Sequence, residues 1–201
     1  VQDLQQLVPS TIFAYVHARQ SSISIRGLGN NPASDGLEGS VGIYLDNVYL
    51  GRPGMAVFDL LDVEQLEVLR GPQGTLFGKN TTAGVLNITT RKPTFYREGS
   101  IQQSIGEDGY LQTQGSFSGP ISETLAGRIS AYRTEDDGYV KNIHNGDDLN
   151  GGKRQGFRTQ LLFKPSDTFN LRWIGEYNEE DSNNGILSLY STGPVSYTHL
   201  T

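Results

Sequence analysis

Hydrophobic and polar residues alternate with period two along several stretches of this chain, and such alternation predicts β-strands. The pattern is clear at residues 21–26, 41–49 and 63–70, and residues 84–90, which are rich in branched side chains, predict a further strand. A glycine and a proline directly follow the strand at 63–70, and these residues end strands. The first half of the chain is therefore predicted to hold short strands that turns separate.

Two other segments show the apolar spacing of a helix. Leu4 and Leu7 precede Pro9, which predicts a short amphipathic helix at the start of the chain. Residues 55–61 predict one or two helical turns that lead into the strand at 63–70, and residues 28–40 form a polar loop. Together these segments predict a small mixed α/β domain.

Four glycines separate the strands at 63–70 and 84–90. They predict a backbone that turns tightly or packs closely against another segment, because only glycine adopts positive φ without steric cost. The Gly78-Lys79 pair is typical of a phosphate-binding loop, but Gln73 and Asn80 stand where that motif needs Gly and Ser or Thr. The sequence favours a structural turn over a nucleotide site.

Beyond residue 98 the alternation runs over longer stretches. Residues 125–132, 157–164 and 169–178 each carry one apolar set of positions and one set with polar side chains such as Arg128 and Arg172. Strands of about 9–11 residues with this pattern are typical of transmembrane β-barrels, in which the apolar set faces lipid. This part of the chain therefore predicts antiparallel strands of an outer-membrane barrel.

The connections between these strands fit the same architecture. Residues 119–123 and 165–167 predict short turns, whereas residues 134–155 predict a long polar loop. Outer-membrane barrels have short periplasmic turns and longer outer loops. We count roughly five strands, but such barrels have at least about eight, and an open sheet in lipid would leave backbone groups unpaired. We therefore expect the chain to be truncated at both ends.

Composition and charge exclude several classes of function. The chain has a net charge of -6, a pI near 5.0 and a mean hydropathy of -0.42, so it lacks the basic surface of a nucleic-acid binder. The sequence contains no run of about 18 apolar residues, so it predicts no transmembrane helix. The three histidines are far apart, and no nucleophile motif occurs, so we expect neither an enzyme nor a bound metal or other cofactor. The carboxylates at 135–137, 147–148 and 179–181 are interpreted as solvated loop residues.

Several motifs carry a resemblance to a known family. Residues 66–72 (LEVLRGP), 75–78 (TLFG) and 83–90 (AGVLNITT) resemble the plug domain of TonB-dependent outer-membrane receptors. Residues 24–29 resemble the Ile-Arg-Gly segment of that domain. Residues 43–49 resemble its Val-Asp-Gly-Val strand, with Asn in place of the usual Gly. Order and spacing agree over about ninety residues.

The resemblance implies a fold and a function. It implies a mixed α/β plug domain at residues 1–93, a linker at 94–97, and the first strands of an incomplete transmembrane β-barrel at 98–201. The implied function is active uptake of a ferric siderophore through the cell outer membrane, with the lipid of that membrane, the small ligand and the TonB energy-coupling protein as partners. The segment that contacts TonB would precede Val1. Import of cobalamin, a glycan or another organic molecule stays open, as does a surface β-rich adhesion module.

The resemblance also implies roles for particular residues. Plug arginines at the positions of Arg26 and Arg70 pair with glutamates of the barrel wall in this family, so both are predicted to anchor the plug. Loops that would face the outside opening are predicted to contact substrate through Asn30, Asn31, Asp35, Tyr49 and Arg52. The alternative for these five is that they are ordinary solvated loop residues.

Overall fold

The structure, a computed structural model, describes residues 8–17, 20–29, 39–51, 61–141 and 148–183. Its first sheet is antiparallel and contains, in order, β1 (Thr11–His17), β2 (Gln20–Ile25) and β3 (Leu28–Gly29). β2 confirms the strand predicted at 21–26, whereas β1 was not predicted. The two predicted helices fall almost wholly outside the described residues.

The second sheet has the order β5-β4-β7-β6, in which β4 and β7 are parallel and the other pairs are antiparallel. Its strands are β4 (Val41–Leu45), β5 (Val48–Tyr49), β6 (Val63–Arg70) and β7 (Gly84–Thr90). The predictions for β6 and β7 are confirmed to the residue. The single strand predicted at 41–49 is instead a tight hairpin.

The hairpin between β4 and β5 turns at Asp46 and Asn47, whose φ angles are 49° and 69°. Two consecutive positive φ angles are typical of the type I′ turn, which Asn and Asp tolerate better than other residues with a Cβ. Asn47 can therefore replace the glycine usual in this motif.

The glycine-rich segment uses its glycines in both predicted ways. Gly71 has a φ of 86°, and a Cβ added to Gly84 would lie 2.4 Å from the carbonyl oxygen of Leu69 on the paired strand. Between these glycines the chain forms one unpredicted helical turn, α1 (Gly74–Phe77). The apolar core lies between the first two sheets, and it contains Phe13, Ile23, Ile25, Val41, Ile43, Ala83, Leu86 and Ile88.

The third sheet is antiparallel and has the order β14-β13-β10-β9-β8. Its strands are β8 (Glu98–Ile105), β9 (Leu111–Pro120), β10 (Leu125–Asp136), β13 (Gly152–Phe163) and β14 (Leu171–Ser182). Within the described ranges 98–141 and 148–183, this sheet agrees with the prediction of about five strands. The loop predicted at 134–155 is shorter, because β10 and β13 extend into it, and it contains the hairpin of β11 (Val140–Lys141) and β12 (Asp148–Leu149). We call β1–β7 the plug and this five-stranded sheet the wall sheet.

The wall sheet has an apolar exposed face and a polar buried face. Phe157 and Trp173 are 47% and 55% exposed, whereas Arg128 and Gln160 on the other face are 4% and 1% exposed. A sheet in water buries its apolar face, so this inverted arrangement is typical of strands that meet lipid outside and polar groups inside. The prediction that the apolar sets of these strands face outward agrees with the structure. Among the described residues, no helix is long and apolar enough to cross a membrane.

Candidate functional site

Two plug carboxylates reach the buried face of the wall sheet. Asp46 directly follows β4 and Asp62 directly precedes β6, which brings both to the same end of the second plug sheet. Their side chains are only 4% and 6% exposed. Asp62, like Asp46, has a positive φ, at 56°. Buried carboxylates need charged or hydrogen-bonding partners, and the wall strands supply them.

Arg128 of β10 binds Asp62 with two donors. Its Nη2 donates to Oδ1 of Asp62 at 2.7 Å and its Nε donates to Oδ2. The third nitrogen, Nη1, donates to Oε1 of Glu98 at 2.7 Å, and the hydroxyl of Ser130 donates to Oδ2 of Asp62 at 2.6 Å. Such two-pronged contacts are among the strongest hydrogen bonds that proteins form.

These partners control the ionisation of Asp62. Burial, the largest single effect, raises the pKa of this carboxyl, because water no longer solvates the charged form. Two opposing effects lower the pKa: hydrogen bonds from Arg128 and Ser130, and the positive charges of Arg128 and Arg91. Together they outweigh burial, so the pKa of Asp62 lies below its usual value. The carboxylate is therefore charged at neutral pH.

Asp46 is bound from both the plug and the wall. The amide of Thr90 donates to its Oδ1 at 3.0 Å and the Thr90 hydroxyl to its Oδ2 at 2.6 Å. From the wall, Nη2 of Arg172 donates to Oδ1 at 3.3 Å, and Nη1 of Arg158 lies 3.6 Å from Oδ2. Glu176 accepts from the other two nitrogens of Arg158, at 2.5 and 3.1 Å.

Gln160 of β13 adds further hydrogen bonds between the wall sheet and the plug. Its Nε2 donates to the carbonyl oxygen of Arg91 at 3.1 Å, and its Oε1 accepts from Nη2 and Nε of Arg172 at 2.7 and 3.0 Å. Arg172 also donates to the hydroxyl of Thr90 at 3.0 Å. Wall side chains thus bind backbone and side-chain groups of the plug.

These contacts form one polar unit, which we call the plug latch and define as Asp46, Asp62, Arg128, Arg158 and Arg172. Each plug carboxylate meets at least one wall guanidinium whose charge it balances. Because the side chains of Arg128 and Arg158 are only 2% and 3% exposed, removing a plug carboxylate would leave a buried guanidinium with fewer charged partners, Glu98 for Arg128 and Glu176 for Arg158. The latch can therefore hold the plug against the wall.

The predicted anchors Arg26 and Arg70 lie elsewhere. Both side chains are exposed, and Arg26 lies in the turn after β2 with a φ of 53°. In the described part of the chain, the ion pairs between plug and wall instead join plug carboxylates to wall arginines. Pairing of Arg26 and Arg70 with wall glutamates stays a prediction.

Of the five residues predicted to contact substrate, the structure describes Tyr49 alone. Asn30, Asn31, Asp35 and Arg52 lie outside the described residues. Tyr49 is half-buried, and its ring centroid lies 5.4 Å from that of Tyr44. The ring of Tyr44 in turn contacts Phe77 edge-on at 5.0 Å, and its hydroxyl donates to the carbonyl of Phe77.

Asn80 binds this group of aromatic residues, because its Nδ2 donates a hydrogen bond to the hydroxyl of Tyr49 at 3.1 Å. The glycine-rich segment therefore supports the hairpin that carries Tyr49. Burial raises the pKa of Tyr44, and the neighbouring Tyr49 phenol adds to this effect, so Tyr44 is a neutral donor at physiological pH.

Sequence reasoning missed the plug latch, although one signal was available. Arg128, Arg158 and Arg172 all occupy the polar positions of alternating strands, and an arginine on the inner face of a barrel needs a buried partner. Nothing in the sequence alone identified Asp46 and Asp62 as those partners, since each lies in a turn where aspartate is common for local reasons.

Comparison with known proteins agrees with this architecture. The TonB-dependent Receptor Plug Domain family matches residues 1–85. The chain belongs to the family of TonB-dependent receptors, and its place is the outer membrane. It combines the plug domain with antiparallel strands that match the same receptors in structure.

Particular relatives refine the comparison. The pesticin receptor of Yersinia pestis is 34% identical over 152 residues, which cover 73% of this chain and 22% of the relative. The vitamin B12 transporter BtuB of Photobacterium profundum is 27% identical over 70% of this chain and 23% of its own length. This chain therefore spans less than a quarter of the length of these curated relatives. The relatives are receptors and transporters.

Solved structures give the same picture. The ferric yersiniabactin uptake receptor FyuA from Yersinia pestis superposes with a TM-score of 0.75 at 31% identity, over 83% of this chain and 26% of that one. The pyoverdine outer membrane receptor FpvA from Pseudomonas aeruginosa has a TM-score of 0.70 over 89% of this chain and 25% of its own, but at 17% identity it shows the fold alone.

Proposed function

We propose that the protein takes up a ferric siderophore across the outer membrane, with energy delivered by TonB, and that it performs no catalysis. The observation that carries this proposal is the match to the ferric yersiniabactin uptake receptor in both sequence and structure over most of this chain. The ferric enterobactin and ferrioxamine B receptors among the relatives support the same class of ligand.

The geometry is suited to a plug that must close a pore and yet be displaced. Among the residues that the structure describes, ion pairs and hydrogen bonds join the plug to the wall. Polar contacts can exchange for contacts with water when a force separates the two surfaces, whereas an apolar interface would be exposed at a cost proportional to its area. We assign residues 1–93 to the plug, 94–97 to the linker and 98–201 to the barrel, since β7 ends at Thr90 and β8 begins at Glu98.

Ligand contact is assigned to Tyr49 together with Asn30, Asn31, Asp35 and Arg52. Tyr49 is held by Tyr44 and Asn80, and a half-buried aromatic ring that is fixed in this way can offer a rigid surface to a bulky ligand. The amides and Arg52 would supply hydrogen bonds and a positive charge for a polar, anionic ligand.

The test is growth of an iron-starved strain whose only receptor of this class is the protein, supplied with a panel of ferric siderophores. We expect the wild type to grow on at least one of them. Tyr49→Ala and Arg52→Ala should weaken binding by about tenfold, in line with the loss of one contact residue. Tyr49→Phe is the matched control, because it keeps the ring and removes only the hydroxyl that Asn80 contacts.

Failure of the wild type to take up any ferric siderophore, combined with expression that does not respond to iron, would refute the iron proposal. Cobalamin is the second candidate, because the vitamin B12 transporter of Photobacterium profundum matches 70% of this chain. Uptake of labelled cobalamin by the same strain would favour it. The same experiment with TonB deleted tests the partner, since uptake should then cease.

A further inference from the structure

We propose that the outer face of the wall sheet binds one phospholipid of the membrane, with an acyl chain in a depression between β9 and β13 and the headgroup phosphate on Arg97. The site is independent of ligand uptake, because it lies on the face of the wall that points away from the plug. A gap among the large side chains of this face and a cation beside the gap define the site.

Two paired glycines form the floor of the depression. Gly119 of β9 and Gly127 of β10 lie opposite each other in the antiparallel pairing, and the next outward pair consists of Phe117 and Ile129. These two large side chains are 55% and 51% exposed, so they stand above the glycines, which carry no side chain. The depression has a volume of about 570 Å³, which lies within the range of about 300–1,000 Å³ that is typical of ligand-binding sites.

Apolar groups border the depression on its other sides. Leu161 of β13 pairs with Gly127, and Ile121 lies in the turn that follows β9. On the side of β8, the aliphatic stem of Arg97 lies over Gly119, with its Cγ 3.3 Å from a Cβ added to that glycine. The floor and the apolar sides therefore lie between β9 and β13, away from both free edges of the sheet.

Arg97 is an exposed cation on the side of the wall that faces lipid. Glu98, the next residue, points inward to Arg128, so the alternation of the strand directs Arg97 outward. An arginine in this position keeps its stem on apolar surface and extends its charged end to the headgroup region. Because a guanidinium forms two parallel hydrogen bonds with a phosphate, Arg97 can bind the headgroup of a lipid whose chain lies in the depression.

The depression lies near the periplasmic end of the wall sheet. The connections at this end, residues 121–124 and 164–170, are short, whereas the longer segment 137–151 joins β10 and β13 at the opposite end. Short turns are typical of the periplasmic end of an outer-membrane barrel. Tyr96, beside Arg97, is 64% exposed, and tyrosine is enriched where a membrane meets water. The lipid is therefore a phospholipid of the periplasmic leaflet.

A second depression on the same face, of about 470 Å³, lacks a cation that is available to a lipid. It lies around Gly115 of β9 and Ala131 of β10, which pair with each other. Its arginine, Arg133, donates to Oε1 of Glu135 at 2.5 and 3.0 Å, so a carboxylate already balances its charge. This second depression supplies matched controls for both parts of the proposed site.

The first test concerns the phosphate. Native mass spectrometry of the purified full-length receptor, titrated with phosphatidylglycerol, measures the affinity for the first bound lipid. Arg97→Gln should weaken this affinity by about tenfold, because a charge-assisted contact is lost, whereas Arg97→Lys keeps the charge and should stay within about threefold of the wild type. Arg133→Gln is the matched control and should change the affinity by less than about twofold.

Diacylglycerol has the same chains but no phosphate, so the wild type should bind it about tenfold more weakly than phosphatidylglycerol. Equal affinities for these two lipids, or equal affinities of the wild type and Arg97→Gln for phosphatidylglycerol, would overturn the proposed contact with Arg97.

The second test concerns the acyl chain. Phosphatidylglycerol with a photoreactive diazirine in one chain should crosslink to residues 117–129 of the wild type. Gly127→Leu fills the depression and should reduce this crosslinking by about tenfold, since a Cβ at this position meets only the side chains of Ile121 and Leu161, at 3.0 and 3.7 Å. Gly115→Leu fills the second depression and should leave the crosslinking to residues 117–129 within about twofold of the wild type.

Heat-modifiable migration in detergent shows whether each variant folds. If Gly127→Leu does not fold, Ile129→Trp takes its place, because a larger side chain at this exposed position covers the depression from its border. Equal crosslinking in the filled variant and in Gly115→Leu would show only the lipid that surrounds any membrane protein, and it would overturn the proposal.

Discussion

Asp62 offers the sharpest test of the plug latch. The substitution Asp62→Asn keeps the size of the side chain but removes the negative charge that Arg128 and Ser130 contact. Arg128 then keeps only Glu98 as a charged partner, and Glu98 is one-third exposed while Arg128 is 2% exposed. The buried guanidinium of Arg128 therefore keeps one of its two carboxylate partners.

The expected magnitude follows from this burial. Removing one partner of a buried ion pair costs about 3–5 kcal/mol, and we expect the lower end, about 3 kcal/mol, because Glu98 remains. A change of this size corresponds to a factor of roughly a hundred in the equilibrium between a seated and a displaced plug.

Two measurements report whether the plug stays bound to the wall sheet. The first is the permeability of cells that express the receptor to a large hydrophilic antibiotic, which should rise in Asp62→Asn. The second is thermal unfolding of the purified receptor in detergent, which should begin at a lower temperature. Glu64→Gln is the control, since it removes a charge from an exposed position two residues later, on β6, and should change stability by less than about 0.5 kcal/mol.

The double variant Asp62→Asn with Arg128→Gln tests whether these two residues stabilise the protein as an interacting pair or independently of each other. If the two residues act as a pair, the double variant should be more stable than Asp62→Asn alone, because the buried and only partly compensated charge of Arg128 is gone. A single variant that is as impermeable and as stable as the wild type would refute the latch. Additive losses in the double variant would refute the specific pairing.

Further predictions concern pH, the family anchors and the glycine-rich segment. The pKa of Asp62 lies below its ordinary value of 3.8, so its contribution to seating is complete above that pH and is lost as the pH falls through the lower folded-state pKa. Thermal stability of the wild type should therefore fall below about pH 4, and that of Asp62→Asn should fall less. Arg26→Ala and Arg70→Ala should each raise antibiotic permeability if these arginines pair with wall glutamates, because the substitution removes an ion pair that holds the plug. Unchanged permeability and unchanged transport in both variants would remove the anchor assignment. Gly84→Ala should destabilise the plug by more than about 1 kcal/mol, since its Cβ would lie 2.4 Å from the Leu69 carbonyl, and a denaturant titration that matches the wild type would contradict this.

Local patterns in the sequence were sufficient to predict most of the strands. β6 and β7 were predicted to the residue, because alternation, branched side chains and the flanking Gly and Pro all indicate the same boundaries. The inverted faces of the wall sheet were also predicted from alternation alone. The hairpin at Asp46 and Asn47 was read as a continuous strand, because a two-residue turn of this type interrupts the alternation only briefly.

The plug latch was decided by tertiary structure. The sequence places Arg128, Arg158 and Arg172 on the inner face of the wall, because that depends only on the period of a strand. Their partners Asp46 and Asp62 lie between 66 and 126 positions earlier in the chain. These carboxylates meet the arginines only because β4 pairs with β7 in parallel and β6 pairs with it in the opposite direction. Side-chain alternation is a local property of the backbone, whereas an ion pair between distant segments depends on how whole sheets pack.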